Sequence, residues 1–246
     1  MSGPPRLSFM ICGVQKGGTT ALWHFLRSHP QIGFGPRKEM HFFDDESRDW
    51  SNPSWDDLER PYAHHPAGRI LGDATPIYTY WPSSLGRIRR YNPGMRLIVS
   101  LRHPVERAYS HWRMATARGQ ETLPFGEAIR AGRRRLDTGD ERALRVFSYV
   151  ERGFYTPQLD RLFALFPASQ VLLLRQADLQ SHPAGTLNRV YDFLGLPRPE
   201  RMPAPETVFS HLGHAVDPLS AEDAACLQAL HAGDLRQLRA RYGIVL

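Results

Sequence analysis

The stretch G-V-Q-K-G-G-T-T, Gly13 to Thr20, gathers three glycines, a lysine and two threonines into eight residues. A glycine loop that opens a helix suits phosphate, because backbone N–H groups point into the loop and the helix N-terminus carries partial positive charge. Thr19 and Thr20 add hydroxyl donors at the first turn. Against the nucleotide-hydrolase pattern G-x-x-x-x-G-K-[ST], Gly13 and Gly18 match the two glycines, but Thr19 stands where the lysine belongs. The lysine lies three places earlier, at Lys16. Of 31 basic residues only Lys16 and Lys38 are lysine, and all others are arginine. A lysine kept where arginine is the rule points to a compact charge that a planar fork cannot replace. Lys38 sits beside Glu39, with His41 and Asp44 close behind.

The elements that must position these residues follow from periodicity. Leu7 to Val14 is a short apolar run suited to a buried parallel strand. The segment A-L-W-H-F-L-R after the glycines repeats apolar residues at helical spacing, and its helix must stop near Ser28-His29-Pro30. Arg96 to Leu101 reads as a second strand, and Pro104 suits the first turn of a helix covering Val105 to Ala117. The pattern predicts a helix over Tyr149 to Phe166 and a third strand over Val171 to Leu174. Strands alternating with helices predict an α/β fold, a P-loop-like parallel sheet flanked by helices on both faces. Ligands in such folds sit at the carboxyl ends of the strands. Residues 13–20 and Arg102 both fall on that edge. Ala221 to Tyr242 reads as an amphipathic packing helix. The arginine-dense stretch from Arg118 to Arg145, with Arg133, Arg134 and Arg135, reads as a solvated helix face ahead of a lid or acceptor-binding element. No repeat, low-complexity tract or linker interrupts the chain, which predicts a single domain over residues 1–246.

At 246 residues, 41% hydrophobic and 23% charged, the composition is that of a globular protein and excludes a disordered chain, a collagen or a coiled coil. No apolar run approaches the ~20 residues that a membrane span needs. Met1 to Pro5 lacks the basic start and apolar stretch of a secretory leader, so a cytoplasmic protein is expected. Cys12 and Cys226, far apart in apolar settings, fit reduced core thiols. The net charge of +6 favours an anionic partner. No cluster has metal-ligand spacing, so no metal is expected. Nothing in the sequence sets the oligomeric state.

G-V-Q-K-G-G-T-T-A-L resembles the 5′-phosphosulfate loop of sulfotransferases, which use 3′-phosphoadenosine 5′-phosphosulfate (PAPS). The second half of that family's signature, an arginine at a strand end and a serine eight residues on, is matched by Arg102 and Ser110 in L-R-H-P-V-E-R-A-Y-S. K-E-M-H-F-F-D, Lys38 to Asp44, resembles a segment of the heparan-sulfate-type branch. D-A-T-P-x-Y, Asp73 to Tyr78, and Y-V-x-R-G-x-Y with the following Q-L and F-P, Tyr149 to Pro167, are further matches. The similarity runs from Phe9 to about Gly195.

This resemblance implies an enzyme that moves a sulfuryl group to an acceptor, with the protein positioning the reactants and stabilising charge. It implies Lys16 on the bridging oxygen, the backbone of Gly17 and Gly18 with Thr19 and Thr20 around the 5′-phosphate, and Arg102 and Ser110 clamping the 3′-phosphate. It places the general base at Glu39, and burial beside Phe42 and Phe43 is expected to raise that carboxylate's pKa toward working pH. Taken alone, Glu39 reads equally as a surface carboxylate paired with Lys38 or Arg37. His41 is the rival base, or the residue that orients Glu39 or the acceptor, with Asp44 in support. Arg102 alone reads as a partner of Glu106, and Ser110 as a solvated hydroxyl.

Some positions depart from the family pattern. Ala74 stands where heparan-type relatives often carry an acceptor-contacting lysine, which shifts the expected acceptor toward a small molecule or secondary metabolite and away from a long polysaccharide. Ala21 and Gln176 stand where cytosolic relatives stack adenine on aromatics. The family's basic glycine loop finds no counterpart between Phe209 and Ser220, and Arg152-Gly153 is the candidate to compensate. Two other readings are weighed. A P-loop small-molecule kinase would use ATP and Mg²⁺, but it needs the lysine at the position of Thr19 and a matching strand-end aspartate. A basic nucleic-acid-binding protein would explain the charge, but no nucleic-acid motif is present. The expectation is a hydroxyl acceptor, more than an amine, on a small molecule or saccharide, with no nucleic-acid partner.

Overall fold

The computed structural model describes residues 6–137, 139–199 and 218–246. In chain order the elements are β1 (Leu7–Gly13), α1 (Thr19–Arg27), β2 (Ile32–Phe34), α2 (Asp56–Glu59), β3 (Ile70–Ala74), α3 (Ser84–Tyr91), β4 (Arg96–Leu101), α4 (Pro104–Ala117), α5 (Phe125–Leu136) and α6 (Glu141–Val146). They continue with α7 (Thr156–Leu165), β5 (Val171–Arg175), α8 (Gln176–Ser181), α9 (Pro183–Leu194) and α10 (Ala221–Tyr242). The chain divides into two compact units. One runs up to Leu101 and resumes at Asp160, and the other runs from Arg102 to Leu159 and includes α10.

The first unit is built on a five-stranded sheet in the order β2-β3-β1-β4-β5, with every neighbouring pair parallel. A parallel sheet buried by helices needs strands that are apolar throughout, which the β1 sequence L-S-F-M-I-C-G nearly satisfies. Phe9 and Ile11 of β1, with Ile98 and Leu174, pack against Leu22, Phe25 and Leu26 of α1 and Leu187, Val190 and Tyr191 of α9. Helix α3 lies outside that cluster, and its Tyr91 hydroxyl accepts from Leu7 N at 2.9 Å. The strands β2, β3 and β1 are consecutive in the sheet and end in residues 34, 74 and 13. Three loops therefore leave one edge side by side, the place where such sheets hold ligands.

The second unit packs Val105, Ala108, Trp112 and Ala115 of α4 against Phe125, Ala128 and Ile129 of α5, with Val146, Tyr149, Val150 and Leu227 completing the core. Pro104 is the first residue of α4, as its missing N–H and fixed φ favour. Arg107 is fully buried and donates to the Tyr149 carbonyl.

Several expectations change. The helix predicted over Tyr149 to Phe166 is split: Glu151–Gly153 form a short 3-10 turn and α7 starts at Thr156. Asp234 of α10 accepts from the backbone N–H of Tyr155 (2.7 Å) and Thr156 (3.1 Å), capping that start from a distant part of the sequence. The arginine-dense stretch is not uniformly solvated. Arg134 is exposed, but Arg135 pairs with the buried Glu121 and lies 4.4 Å over the Phe147 ring. The side chain of Arg133 lies outside the described residues. Arg152 is buried and donates to Ser148 Oγ (2.7 Å) and to the carbonyls of Leu144 and Arg145 (3.0 Å each). Those bonds close the end of α6. The glycine-loop counterpart sought between Phe209 and Ser220 falls, up to residue 217, outside the described residues. Cys12 is a buried free thiol whose pKa burial pushes up to about 12, whereas Cys226 is free and only half-buried. Among the described residues no helix is long and apolar enough to cross a membrane.

Candidate active site

The glycine loop follows β1 and is tied to the end of β4. Val14 N donates to Ser100 O (3.0 Å), Gly17 N to Val14 O (2.9 Å), and Ser100 Oγ to Gly17 O (2.6 Å). This closure brings the backbone so near that a Cβ on Gly17 would lie 2.1 Å from Ser100 O, so the position requires glycine. Gly18 precedes α1 in the left-handed conformation, φ +84°, which glycine adopts without steric cost. The N-cap residue Gly18 has no side chain to cap α1 and the first turn of α1 holds no acid, so the helix brings no carboxylate of its own to its amide end. Thr19 is buried and Thr20 exposed at that turn. A strand of apolar residues interrupted by one serine, R-L-I-V-S-L, was the available sign that Ser100 holds the loop.

The segment after β2 brings four charged groups into one row. Lys38 Nζ contacts Glu39 Oε1, His41 Nε2 lies 3.6 Å from Glu39 Oε2, and His41 Nδ1 lies 2.9 Å from Asp44 Oδ2. The side chains of Glu39 and His41 are 35% and 45% exposed, while that of Asp44 is fully buried. The middle of the row is thus open to solvent, while its Lys38 end is largely covered and its Asp44 end is closed. Burial pushes the Glu39 pKa upward. The hydrogen bond from His41 and the Lys38 ammonium outweigh it and hold the carboxyl down to about 2. This reverses the rise expected from burial beside Phe42 and Phe43. Both rings are buried instead among Trp50, Trp55 and Tyr78, in an aromatic cluster with spacings such as 5.6 Å for Phe43 to Tyr78. His41 moves the other way. Its hydrogen bonds to Asp44 and Glu39 outweigh the loss of hydration and raise it to about 9. Near neutral pH, Glu39 is therefore a carboxylate and His41 an imidazolium.

Among the described residues, the non-glycine positions with positive φ are Lys16 (69°), Glu39 (62°) and His41 (55°). These are the three residues singled out from sequence for chemistry. Left-handed backbone is unfavourable for residues with a Cβ and persists where surrounding bonds over-determine it. It is concentrated here in side chains that carry charge.

The remaining expected site residues take different settings. Arg102, in the second unit, makes the ion pair expected of it alone, Nε to Glu106 Oε2 at 3.0 Å, and its carbonyl accepts from the Tyr155 hydroxyl at 2.6 Å. Arg102 and Ser110 are both part-exposed, flanking the first turns of α4. In the first unit, Ala21 and Gln176 are buried, and the Gln176 side chain packs on Gly18. Ala74, at the end of β3, is buried, and its carbonyl accepts from Glu39 N.

This geometry can be set against known proteins. A family model described as the sulfotransferase domain matches residues 7–212. The mouse protein named heparan sulfate glucosamine 3-O-sulfotransferase 6 is 36% identical over 205 residues, covering 80% of this chain and 55% of that protein. Human heparan sulfate glucosamine 3-O-sulfotransferase 3B1 is 34% identical over 189 residues, covering 77% of this chain and 46% of that protein. The chain thus spans about half the length of these curated relatives. Among solved structures, a sulfotransferase from Alicyclobacillus acidocaldarius has a TM-score of 0.84 at 24% identity, covering 98% of this chain and 97% of that one. The sulfotransferase domain of the Synechococcus PCC 7002 olefin synthase has a TM-score of 0.57 at 18% identity, covering 100% and 97%. These structural likenesses establish the fold. Because one continuous match takes in the glycine loop with its displaced lysine, the Lys38–Asp44 row and the strand leading to Arg102, this chain belongs to the sulfotransferase domain family.

Proposed function

We propose that the chain is one catalytic domain that transfers a sulfuryl group from PAPS to a hydroxyl on a saccharide or small molecule. The donor supplies sulfur already activated by a phosphate leaving group. The acceptor oxygen bonds to sulfur as the bond from sulfur to the bridging phosphate oxygen breaks, and 3′-phosphoadenosine 5′-phosphate leaves. Glu39 takes the acceptor's proton, since of the two candidate bases it alone is unprotonated near neutrality. His41, held as a cation by Asp44, orients Glu39 and steadies its charge. Lys16 neutralises charge growing on the leaving phosphate. The backbone of Gly17 and Gly18, with Thr19 and Thr20, holds the 5′-phosphate, and Arg102 with Ser110 holds the 3′-phosphate.

The observation that carries this reading is geometric: the half-exposed Glu39 carboxylate is held between Lys38 and His41 on the sheet edge where the glycine loop also leaves, in a chain of the sulfotransferase domain family. The relatives' names favour a saccharide hydroxyl, and Ala74 favours a smaller acceptor. The cytoplasmic, secondary-metabolic setting expected from sequence belongs to that second branch, and a screen of both acceptor classes divides them. The donor is tested first, by calorimetric titration with 3′-phosphoadenosine 5′-phosphate beside ATP with Mg²⁺, on wild type and Arg102→Ala. Tight binding of the bisphosphate, lost in the variant, is the expected result. A preference for ATP with Mg²⁺ overturns the proposal in favour of a kinase.

A further inference from the structure

Residues 73–78, D-A-T-P-I-Y, take no part in the chemistry proposed above, yet the backbone of the Lys38–Asp44 segment is bonded to them along its length. Glu39 N donates to Ala74 O (3.2 Å), Met40 N to the Asp73 carboxylate, and Phe42 N to the Tyr78 hydroxyl (3.1 Å), with Phe43 N 3.5 Å from the same oxygen. Since that oxygen accepts from Phe42, its own proton goes to Asp73 Oδ2 at 3.1 Å. Thr75 Oγ1 donates to the same carboxylate oxygen (2.8 Å) and Ala74 N to Oδ1 (2.7 Å). Asp73 and Tyr78 are 2% and 0% exposed. The bonds to Asp73 described here come from neutral N–H and O–H donors. Burying a carboxylate on such terms is costly unless its donors are well placed, and burial pushes the Asp73 pKa up. A costly group away from the reacting atoms calls for a reason.

The backbone of the segment supplies one. Glu39 and His41 sit in left-handed turns, at φ 62° and 55°. The N–H groups bound to residues 73–78 belong to Glu39 itself and to the residues on either side of His41. We infer that Asp73 and Tyr78 are positioning residues, which act through the main chain of Met40, Phe42 and Phe43 to hold Glu39 and His41 in one row with Lys38 and Asp44. The row stands whatever the reaction; its use for proton transfer rests on the function proposed above.

The test is a pH titration of the histidine ring signals by NMR on the full chain, with His41 assigned by its loss in His41→Gln. The groups that face His41 are Glu39 and Asp44, and Lys38 reaches it through Glu39. Wild type is expected to lose the His41 proton near pH 9. In Tyr78→Phe, the proton affinity of His41 is expected to fall at least tenfold. On the same samples kcat should fall at least tenfold, while the affinity for 3′-phosphoadenosine 5′-phosphate stays within twofold. Asp73→Asn should show the same signature. If Tyr78→Phe does not fold, Thr75→Val, which removes one donor to Asp73 and leaves Tyr78 in place, should move the His41 titration in the same direction. A folded variant with lowered Tm but an unchanged His41 titration overturns the inference, because a purely structural role would do only that. A wild type that neither binds the bisphosphate nor turns over an acceptor sinks the proposed function, while the His41 titration still decides the positioning role.

Discussion

The glycine loop and the Lys38–Asp44 row leave the same sheet edge, but they reach their geometry by opposite means. The loop removes side chains: Gly17 admits the Ser100 carbonyl and Gly18 takes φ +84° without strain. The row keeps its side chains and accepts left-handed backbone at Glu39 and His41, which costs of order 1–3 kcal/mol at each such residue. In the proposed function one region offers dipoles to an anion, while the other aims ionised groups whose proton affinities are driven apart. Lys16, in the loop but with φ 69°, belongs to both styles. Room for a ligand can be made with glycine, whereas aim requires a Cβ and a scaffold to hold it.

The contrast can be broken most sharply at Glu39. Glu39→Gln is expected to lower kcat by about 10²–10⁴-fold with bisphosphate affinity within twofold of wild type, measured by steady-state kinetics and calorimetry. A variant that keeps near-normal turnover would hand the base role to His41. Lys16→Ala should lower kcat by roughly 10²–10³-fold and, unlike Glu39→Gln, should also weaken bisphosphate binding in the same titration. Gly17→Ala tests the loop alone. Its Cβ meets backbone, so chemical denaturation should show a loss of about 1–3 kcal/mol together with poorer nucleotide binding. Unchanged stability would mean that the loop yields where the contact says it cannot.

The smallest effect is in pH. The Glu39 pKa is depressed from 4.5 to about 2, so its contribution to stability is present above pH 4.5 and lost as pH falls through 2. The His41 pKa is raised from 6.5 to about 9, so its contribution is full below pH 6.5 and lost as pH rises through 9. Activity should follow His41 with an alkaline limb near pH 9, and His41→Gln should erase that limb from the kcat profile. A limb that survives the substitution belongs to another group.

Much of this was legible in the residues. β1, β4, α4 and α10 carry long or well-capped patterns, and each begins where the sequence places it. β2 has three residues and β3 ends in Gly-Asp-Ala, too short and too polar to register as buried strands without the sheet that recruits them. The start of α7 is set by Asp234, 79 residues beyond Tyr155, which no local window contains. In the site, residue type and spacing pointed to Lys16, and the resemblance to sulfotransferases pointed to Glu39 and His41. Their left-handed backbone left no trace, because only glycine and asparagine announce that conformation in sequence. The direction of the Glu39 pKa was misread for a related reason. Phe42 and Phe43 follow it in sequence, but both rings are buried in the cluster with Trp50, Trp55 and Tyr78, and Lys38 and His41 lie against the carboxylate instead.

The bonds from Asp234 to Tyr155 and Thr156 also have a place in time. During synthesis, the donors emerge long before their acceptor is made. Helix α7 must wait for α10 before its first turn is capped, so this corner of the second unit closes late. A chain stalled before residue 234 would expose the Tyr155 backbone, and with it the segment whose hydroxyl holds the Arg102 carbonyl, to whatever binds unfinished chains.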